Sequence, residues 1–203
     1  MVLEHCEEGN LRDWLLRNKE KVNDDTVERL YQMVLGVAKG MEYLSSKKIV
    51  HRRLAARNVL LPFTLMPKVA GFGPTIQDES KDKNDISKER VPVKWMAPEC
   101  TEWTKNATTK SDVWSYGIVM WEILSFGETP YGGISSRSVP DKLEKGYRLE
   151  RPEYSTDMHY KLMKKCWNFQ PEGRPDFKGI AKDLESTFKT SPSDDYYYEM
   201  QKK

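Results

Sequence analysis

The feature that most constrains the fold is a helix-forming segment over residues 110–124 that is apolar on nearly every side. A helix with one polar face lies at a surface, whereas a helix that is apolar all round must be covered by other elements. The glycine at position 127 favours the end of this helix, because glycine readily adopts the left-handed backbone of a helix C-cap. We therefore predict that this helix is fully buried and forms the centre of the fold.

Apolar residues at helical spacing predict further helices around this centre. In one of them, steps of three and four residues run from Val27 to Leu44, after an acidic N-cap at Asp24 or Asp25. The expected fold class is therefore mainly α. The other predicted helices pass through residues 11–15, about 137–145, about 158–167, and 177–184.

Composition favours one globular domain and excludes several classes of partner. The chain has 203 residues, of which 38% are hydrophobic, enough for a single core. Its 33 basic and 31 acidic residues are interspersed, so nucleic acid is not an expected partner. Three widely spaced cysteines fit neither a disulfide framework nor a zinc site, which favours reduced thiols and a cytoplasmic location. The longest apolar run, residues 116–124, is too short to span a bilayer, so we expect no membrane segment in this chain.

A polar loop over residues 49–61 is the strongest candidate for a functional site. It places one histidine, three arginines and one asparagine between apolar residues, which is more polar groups than a core can bury without partners. A second cluster over residues 68–73 is a short strand-like run that ends in Gly71, Phe72 and Gly73. Its two glycines permit backbone angles that other residues avoid.

Together these clusters resemble the catalytic loop and the metal-binding loop of protein kinases, whose patterns are His-Arg-Asp followed by Asn, and Asp-Phe-Gly. Leu-Ala-Ala-Arg-Asn at 54–58 and Pro-Val-Lys-Trp-Met-Ala-Pro-Glu at 92–99 are similar to tyrosine kinases. Within that family the chain resembles the receptor type, including the fibroblast growth factor receptor group. A closing motif with Cys166, Trp167 and Arg174 agrees, and the resemblance extends from residue 1 to about residue 188.

The resemblance implies the C-lobe of the protein kinase fold over residues 1–189, a helical bundle with short β-hairpins around the catalytic loop. It places the hinge at residues 1–6, a pattern that indicates the end of a strand, followed by a turn over residues 7–10. The glycine-rich loop, the strand lysine and its partner glutamate have no counterpart in the sequence, so we expect the N-lobe to be essentially absent. Residues 190–203 lack periodicity and are expected to form a disordered tail that contains tyrosines.

Two aspartates of the kinase pattern are replaced in this chain. Arg53 stands at the position of the catalytic Asp, and Gly71 stands at that of the Asp that holds magnesium. Asn58 is the one metal ligand that the resemblance retains. An arginine cannot accept a proton, since its pKa lies above about 12, and glycine offers no side chain to a metal. We therefore expect no intact catalytic residue, and magnesium binding is disfavoured.

The same replacements make the predicted pocket cationic. Guanidinium pairs with phosphate through two hydrogen bonds, so Arg53 could partly replace the charge of magnesium toward a nucleotide. The alternative is that Arg53 pairs with a nearby acidic residue and has a structural role. No cofactor is expected for this chain alone, and ATP is expected only together with an N-lobe.

The resemblance also implies roles for residues around the loop. His51 and Phe72 would pack in the column of side chains that joins the two lobes, and Asp112 would hold the backbone of the catalytic loop. Glu99 and Arg174 would form a buried ion pair. The remaining positions are retained loop residues, the hinge with the adenine floor, and the segment that receives the substrate tyrosine: Arg52 and Arg57; Glu4, Cys6 and Leu60; Pro92, Lys94 and Trp95.

Two segments are candidates for phosphorylation. Residues 77–90 have mixed charge and are expected to form a mobile loop, in or beside which Thr75, Ser80 and Ser87 could be modified, unless the loop is merely solvated. In the tail, Tyr197 begins a Tyr-x-x-Met pattern, with Tyr198 beside it. That pattern resembles phosphorylated ligands of the Src-homology-2 domains of phosphoinositide 3-kinase. An ordinary polar tail is the alternative.

Three functions remain open from the sequence. The first is a pseudokinase: a kinase-like C-lobe that binds proteins, such as an active tyrosine kinase, without phosphoryl transfer. The second is a fragment of an ATP-dependent receptor-type kinase, with Asp78 or Glu79 as a substitute carboxylate. The third is a truncated product without function, whose apolar floor around Leu3, Val59 and Leu60 would be exposed. We favour the first, because the scaffold is kept where the chemistry is missing.

Overall fold

The computed structural model describes residues 4–73, 92–100 and 106–188. The proposed phosphorylation sites, and the acidic residues at 78 and 79, lie outside these residues. Helices make up most of the regular secondary structure of the described chain, so the predicted mainly α architecture is confirmed. None of the described helices is both long enough and apolar enough to cross a membrane. The elements are β1 (Gly9–Asn10), α1 (Leu11–Asn18), α2 (Asp24–Ser46), β2 (Val59–Leu61), β3 (Lys68–Val69), α3 (Thr109–Leu124), α4 (Val139–Glu144), α5 (Asp157–Cys166) and α6 (Phe177–Phe188).

Helix α3 lies at the centre of the described core, as its sequence predicts. Of its 16 residues 13 are buried, and it packs against both α2 and α5. Glycine is required at position 117, because a Cβ atom there would lie 2.6 Å from Nε1 of Trp167. After the last helical turn, Gly127 has a φ of +78° and donates its N–H to the carbonyl oxygen of Glu122 at 2.8 Å. This contact closes the helix C-terminus in the manner that the glycine predicts.

Helix α2 begins at Asp24, one or two residues before the predicted start, because its cap is a different residue. The side-chain oxygen of Asn23 accepts the N–H of Thr26 at 2.8 Å, so the prediction of a cap at Asp24 or Asp25 is wrong. A capping side chain must come from the extended residue before the helix, and Asn23 has that backbone, with a φ of −144°. Asp24 and Asp25 lie in the first turn, where carboxylates are stabilised by the positive end of the helix dipole.

The three strands form a small antiparallel sheet in the order β1-β2-β3. Gly9 pairs with Leu61, and Leu60 pairs with Asn10 on one side and Lys68 on the other. The sequence placed the first strand too early, since residues 4–6 are not a strand and the pairing begins at Gly9. A turn lies before this strand, and in it the N–H of Gly9 donates to the carbonyl oxygen of Cys6 at 3.1 Å. The turn directs the chain into β1, which pairs with β2.

The prediction of an exposed apolar floor around Leu3, Val59 and Leu60 is only partly correct. Val59 is fully buried, and Leu60 is half-buried, because β2 is the middle strand and is covered by its neighbours and by α1. Leu3 lies outside the described residues. Among the large apolar side chains of the described residues, Phe63 is the most exposed, at 79%, and it lies in the turn between β2 and β3.

Candidate functional site

The polar loop lies between α2 and β2 and is held to α3 by one carboxylate. Asp112, buried in the first turn of α3, accepts the backbone N–H of His51 at 2.7 Å and that of Arg52 at 2.9 Å. Arg52 has a left-handed backbone, with a φ of +67°, which is unfavourable for a residue with a side chain. Burial raises the pKa of Asp112 to about 6, and the two N–H groups oppose that rise. Asp112 therefore stabilises a loop conformation that is unfavourable on its own.

His51 is the buried centre of the loop. Its Nδ1 accepts the N–H of Arg53 at 3.2 Å, which leaves the proton on Nε2, where it is donated to the carbonyl of Ala70 at 2.9 Å. Burial lowers the pKa of His51 to about 4, so the ring is neutral at pH 7. The Phe72 ring stacks on it with centroids 4.5 Å apart. Phe72 is 47% exposed, so this stacked pair reaches the surface of the described structure.

The position where the kinase pattern places magnesium does not fit a metal ion. Asn58 donates its side-chain N–H to the carbonyl of Arg53 at 2.6 Å. Gly71 has a φ of +67°, and a Cβ atom on it would lie 2.8 Å from Oδ1 of Asn58. Among the described residues, the side chains at Asn58 and Gly71 thus offer one amide oxygen, whereas Mg²⁺ takes six oxygen ligands, commonly including a carboxylate. Among the residues that the structure describes, no group of three or more His, Cys, Asp and Glu side chains is placed to hold a metal.

Glu122 connects the polar loop to the segment at 92–99, because it accepts hydrogen bonds from both. Sequence reasoning missed this role. One carboxylate oxygen, Oε2, accepts both the backbone N–H of Ala56 and the indole N–H of Trp95, each at 2.9 Å. Arg57 lies over the Trp95 ring, with its guanidinium carbon 4.2 Å from the ring centroid. Burial raises the pKa of Glu122 to about 7, against the effect of these donors and of Arg57. The available signal was that Glu122 is the one charged residue that interrupts the apolar run of α3.

We expect Glu122→Gln to change how stability depends on pH. The pKa of Glu122 is higher in the folded chain than its usual value of 4.5, so its contribution to stability is fully present below pH 4.5 and is lost as the pH rises through about 7. A rise from 4.5 to about 7 corresponds to roughly 3 kcal/mol in the free energy of unfolding. Urea unfolding of both proteins between about pH 5 and about pH 8 tests this. The free energy of unfolding should fall with rising pH by more in the wild type than in Glu122→Gln.

The control for this comparison is Glu128→Gln, at a carboxylate whose side chain is 54% exposed. His51 and His159 act in the opposite direction, because burial lowers both pKa values to about 4 and their contribution is lost as the pH falls from 6.5 toward 4. Both histidines are present in every variant, so their effect cancels in the difference. Parallel curves for wild type and Glu122→Gln would contradict the prediction.

The segment at 92–99 forms the second wall of the site. Its helical turn, Val93–Trp95, is held by Ser115, which donates to the carbonyl of Trp95 at 2.7 Å. Lys94 donates to the carbonyl of Tyr131 at 3.1 Å. A cleft separates this segment from the polar loop. Its lining comes from the loop, the segment and the start of α3, and consists of Arg52, Arg53, Leu54, Pro92, Trp95, Met96, Ala97, Cys100, Ala107, Ser111, Asp112 and Ser115.

An ion pair ties the same segment to the end of the domain. The guanidinium of Arg174 donates to both carboxylate oxygens of Glu99, at 2.6 and 2.8 Å. The Arg174 side chain is fully buried, and the Glu99 side chain is 21% exposed. Arg174 also lies over the Trp114 ring, 5.1 Å from its centroid. The structure therefore brings together the two residues that the sequence pairs, with one of them at the edge of the core.

The described residues assigned to the hinge and the adenine floor make contacts within this chain. Glu4 is exposed and pairs with Lys68 at 3.3 Å. The carbonyl of Cys6 is used within the turn to Gly9. Leu60 lies in β2, half-buried. Their roles toward a nucleotide stay predictions.

Comparison with known sequences identifies the fold family. A family profile described as protein tyrosine and serine/threonine kinase matches residues 1–184. This chain belongs to that kinase family. The kinase domain described here contains a C-lobe-like bundle with a small three-stranded sheet, so the recognition of the fold from residues 49–61, 68–73 and 92–99 is confirmed.

Its relatives include receptor tyrosine kinases. The kinase domain is 41% identical over 204 residues to a fibroblast growth factor receptor of Hydra vulgaris, covering 97% of this chain and 25% of the relative. It is 47% identical over 169 residues to platelet-derived growth factor receptor alpha of Takifugu rubripes, covering 82% and 16%. The rat megakaryocyte-associated tyrosine-protein kinase is 41% identical over 184 residues, covering 91% and 38%. The chain thus spans between 16% and 38% of the length of these three relatives.

Proposed function

We propose that this kinase domain is a protein-binding module of tyrosine kinase signalling that does not transfer phosphate. The observation that carries the proposal is the packing at Gly71, where a side chain would meet Oδ1 of Asn58 at 2.8 Å. The position that holds the metal ion in the kinase pattern has no carboxylate, and a side chain there would require Asn58 to move. Two contacts of the described scaffold around it are kept: Asp112 holds the loop, and Glu99 pairs with Arg174.

The second support is the charge at position 53. A catalytic Asp accepts or orients the proton of the substrate hydroxyl, whereas a guanidinium has no acceptor and stays protonated. The described neighbours do not supply a replacement. Both carboxylate oxygens of Asp112 accept backbone N–H groups, and Oε2 of Glu122 accepts two donors within the core.

A transfer assay tests the proposal. We expect the purified full chain to incorporate no labelled phosphate from ATP into a tyrosine-containing polymer, with or without magnesium, under conditions in which an active tyrosine kinase does so. Restoring one carboxylate, in Arg53→Asp, should not produce activity, because position 71 still lacks a metal ligand. Incorporation that is present in the wild type and lost in Asn58→Ala would contradict the proposal, since a contaminating kinase would be indifferent to that change.

We further infer that the tail, residues 190–203, supplies a site for a partner protein. Phosphorylated Tyr197, in its Tyr-x-x-Met context, would bind a Src-homology-2 domain; it lies outside the described residues. Titration of a phosphopeptide of residues 193–201 into such a domain tests this, and equal binding of the unphosphorylated peptide would contradict it.

We also infer that the chain acts in the cytoplasm. The free thiols of Cys6, Cys100 and Cys166 support this location, which cell fractionation would check.

A further inference from the structure

The chain leaves helix α6 close to the C-terminal end of α2. Tyr116 donates its hydroxyl to the carbonyl of Val34, and its ring packs edge-on against Phe177 at the start of α6, with centroids 5.8 Å apart. Near the other end of α6, Glu185 pairs with Lys39 at 2.9 Å. The start of α6 thus lies near the middle of α2, and its end lies nearer to the end of α2. The two helices therefore run in the same direction here.

Exposed apolar and basic side chains lie at this end of α2. Tyr43 is 63% exposed, and Ile49, just after the helix, is 42% exposed. Tyr43 follows Lys39 by four residues, so it lies on the face of α2 that contacts α6, about 6 Å farther along the axis. Lys47 lies over the Tyr43 ring, with Nζ 5.6 Å from its centroid, and Lys48 is also exposed. We call Tyr43, Lys47, Lys48 and Ile49 the α2 end surface.

The tail is long enough to reach the α2 end surface. Residues 189–203 lie outside the described residues and begin directly after α6. The eight residues from 188 to Tyr196 can span about 27 Å, because an extended chain advances at most about 3.3–3.6 Å per residue. Tyr43 is only about 6 Å along α2 from the contact between Lys39 and α6. Length therefore does not prevent the tail from contacting this surface.

The composition of the tail also matches the α2 end surface. Three tyrosines and one methionine lie within residues 196–200, directly after two aspartates at 194 and 195. Aromatic rings pack well on other rings and on aliphatic side chains, as Tyr43 and Ile49 provide. The aspartates have the charge that attracts Lys47 and Lys48. The tail thus offers an apolar group for the apolar part of the surface and an acidic group for its basic part.

Attachment to the same chain makes even a weak contact effective. A segment that is held by a short linker has an effective local concentration in the millimolar range. With a dissociation constant of about 0.1 mM for the contact itself, an effective concentration of about 1 mM gives about ten docked tails for each free one. A small surface is therefore sufficient for docking within one molecule.

We propose that the tail docks on the α2 end surface of its own chain and thereby withholds Tyr197 from other proteins. The tyrosines of the tail cover Tyr43 and Ile49, and its aspartates lie beside the two lysines. The proposal rests on the proposed function in one respect, because Tyr197 is the residue assigned there to a Src-homology-2 domain. Docking regulates that site, since a docked tail must first be released before a tyrosine kinase can modify it.

Limited proteolysis of the full chain with chymotrypsin tests the proposal. This protease cuts after aromatic residues, which fit the apolar slot of its S1 pocket, and the mass of the intact protein reports cuts within residues 196–198. The reference is the free peptide of residues 190–203, which has no surface to dock on. We expect the tail of the wild type to be cut about tenfold more slowly than this peptide, because cleavage follows the population of the open form. Added salt should reduce the protection.

Tyr43→Ser should bring the cutting rate of the tail to within about twofold of the free peptide, whereas Tyr43→Phe keeps the ring and should retain most of the protection. Lys47→Glu should raise the rate by about twofold or more, since it repels the aspartates. The matched control is Phe169→Ser, at an aromatic residue that is 40% exposed and lies before the start of α6; its rate should stay within about twofold of the wild type. Thermal melting checks that each variant is folded, and Tyr43→Phe and Lys47→Glu remain informative if Tyr43→Ser is not.

Three outcomes would overturn the proposal. The first is a wild-type tail that is cut as fast as the free peptide, and the second is unchanged protection in Tyr43→Ser. The third is protection that grows with protein concentration, which would assign the surface to the tail of a second copy. The proteolysis assay contains neither ATP nor a Src-homology-2 domain, so failure of docking is distinguishable from failure of the proposed function.

Discussion

Glu99→Ala should lower the free energy of unfolding by roughly 3–5 kcal/mol, because it leaves a buried charge without its partner. Arg174 is fully buried and donates to both oxygens of Glu99. Its other donors reach the carbonyls of Asn168, Lys110 and Phe169, which cannot neutralise the charge. The midpoint and slope of urea unfolding would measure the loss.

The control for this prediction is an ion pair of the same kind at the surface. Lys19 and Glu128 lie 3.1 Å apart with side chains that are 48% and 54% exposed, so Glu128→Ala should cost no more than about 1 kcal/mol. A double variant that removes both Glu99 and Arg174 should cost less than the sum of the single variants. If Glu99→Ala were no more destabilising than Glu128→Ala, the ion pair would not have the role assigned to it.

Asp112→Ala should be comparably destabilising, and its effect should be concentrated in the polar loop. The substitution leaves the N–H groups of His51 and Arg52 without their acceptor, at a cost of about 1–3 kcal/mol for each buried group. It also removes the contact that stabilises the left-handed backbone of Arg52. We expect faster hydrogen exchange at these two amides in addition to the global loss of stability.

Two variants separate this effect from a general helix effect. Asp13→Ala removes an acidic residue from the first turn of α1, where it is exposed and accepts from Asn10, so it should cost no more than about 1 kcal/mol. Asp112→Asn retains one acceptor oxygen and should fall between wild type and Asp112→Ala. Unchanged exchange at His51 and Arg52 in Asp112→Ala would contradict the prediction.

The sequence predicted more of the fold than of the site. Helix α3 followed from its uniform apolarity, and α4 and α5 begin and end within two residues of the predicted ranges. Patterns of this kind are local, since a helix or its cap is determined within a few residues. The errors at Asn23 and Gly9 were also local: a carboxylate and an amide compete for one cap, and a single glycine moves the start of a strand.

The chemical character of the site was determined by the sequence alone, because the charge of Arg53 and the missing side chain of Gly71 do not depend on their surroundings. Only the tertiary structure decided which groups meet there. Asp112 contacts a residue 61 positions away, and Glu122 contacts one 66 positions away. It also placed Asn58 where a side chain on Gly71 would lie. Such contacts depend on how α3 packs against the polar loop. The order of residues along the chain does not by itself determine which distant residues this packing brings together.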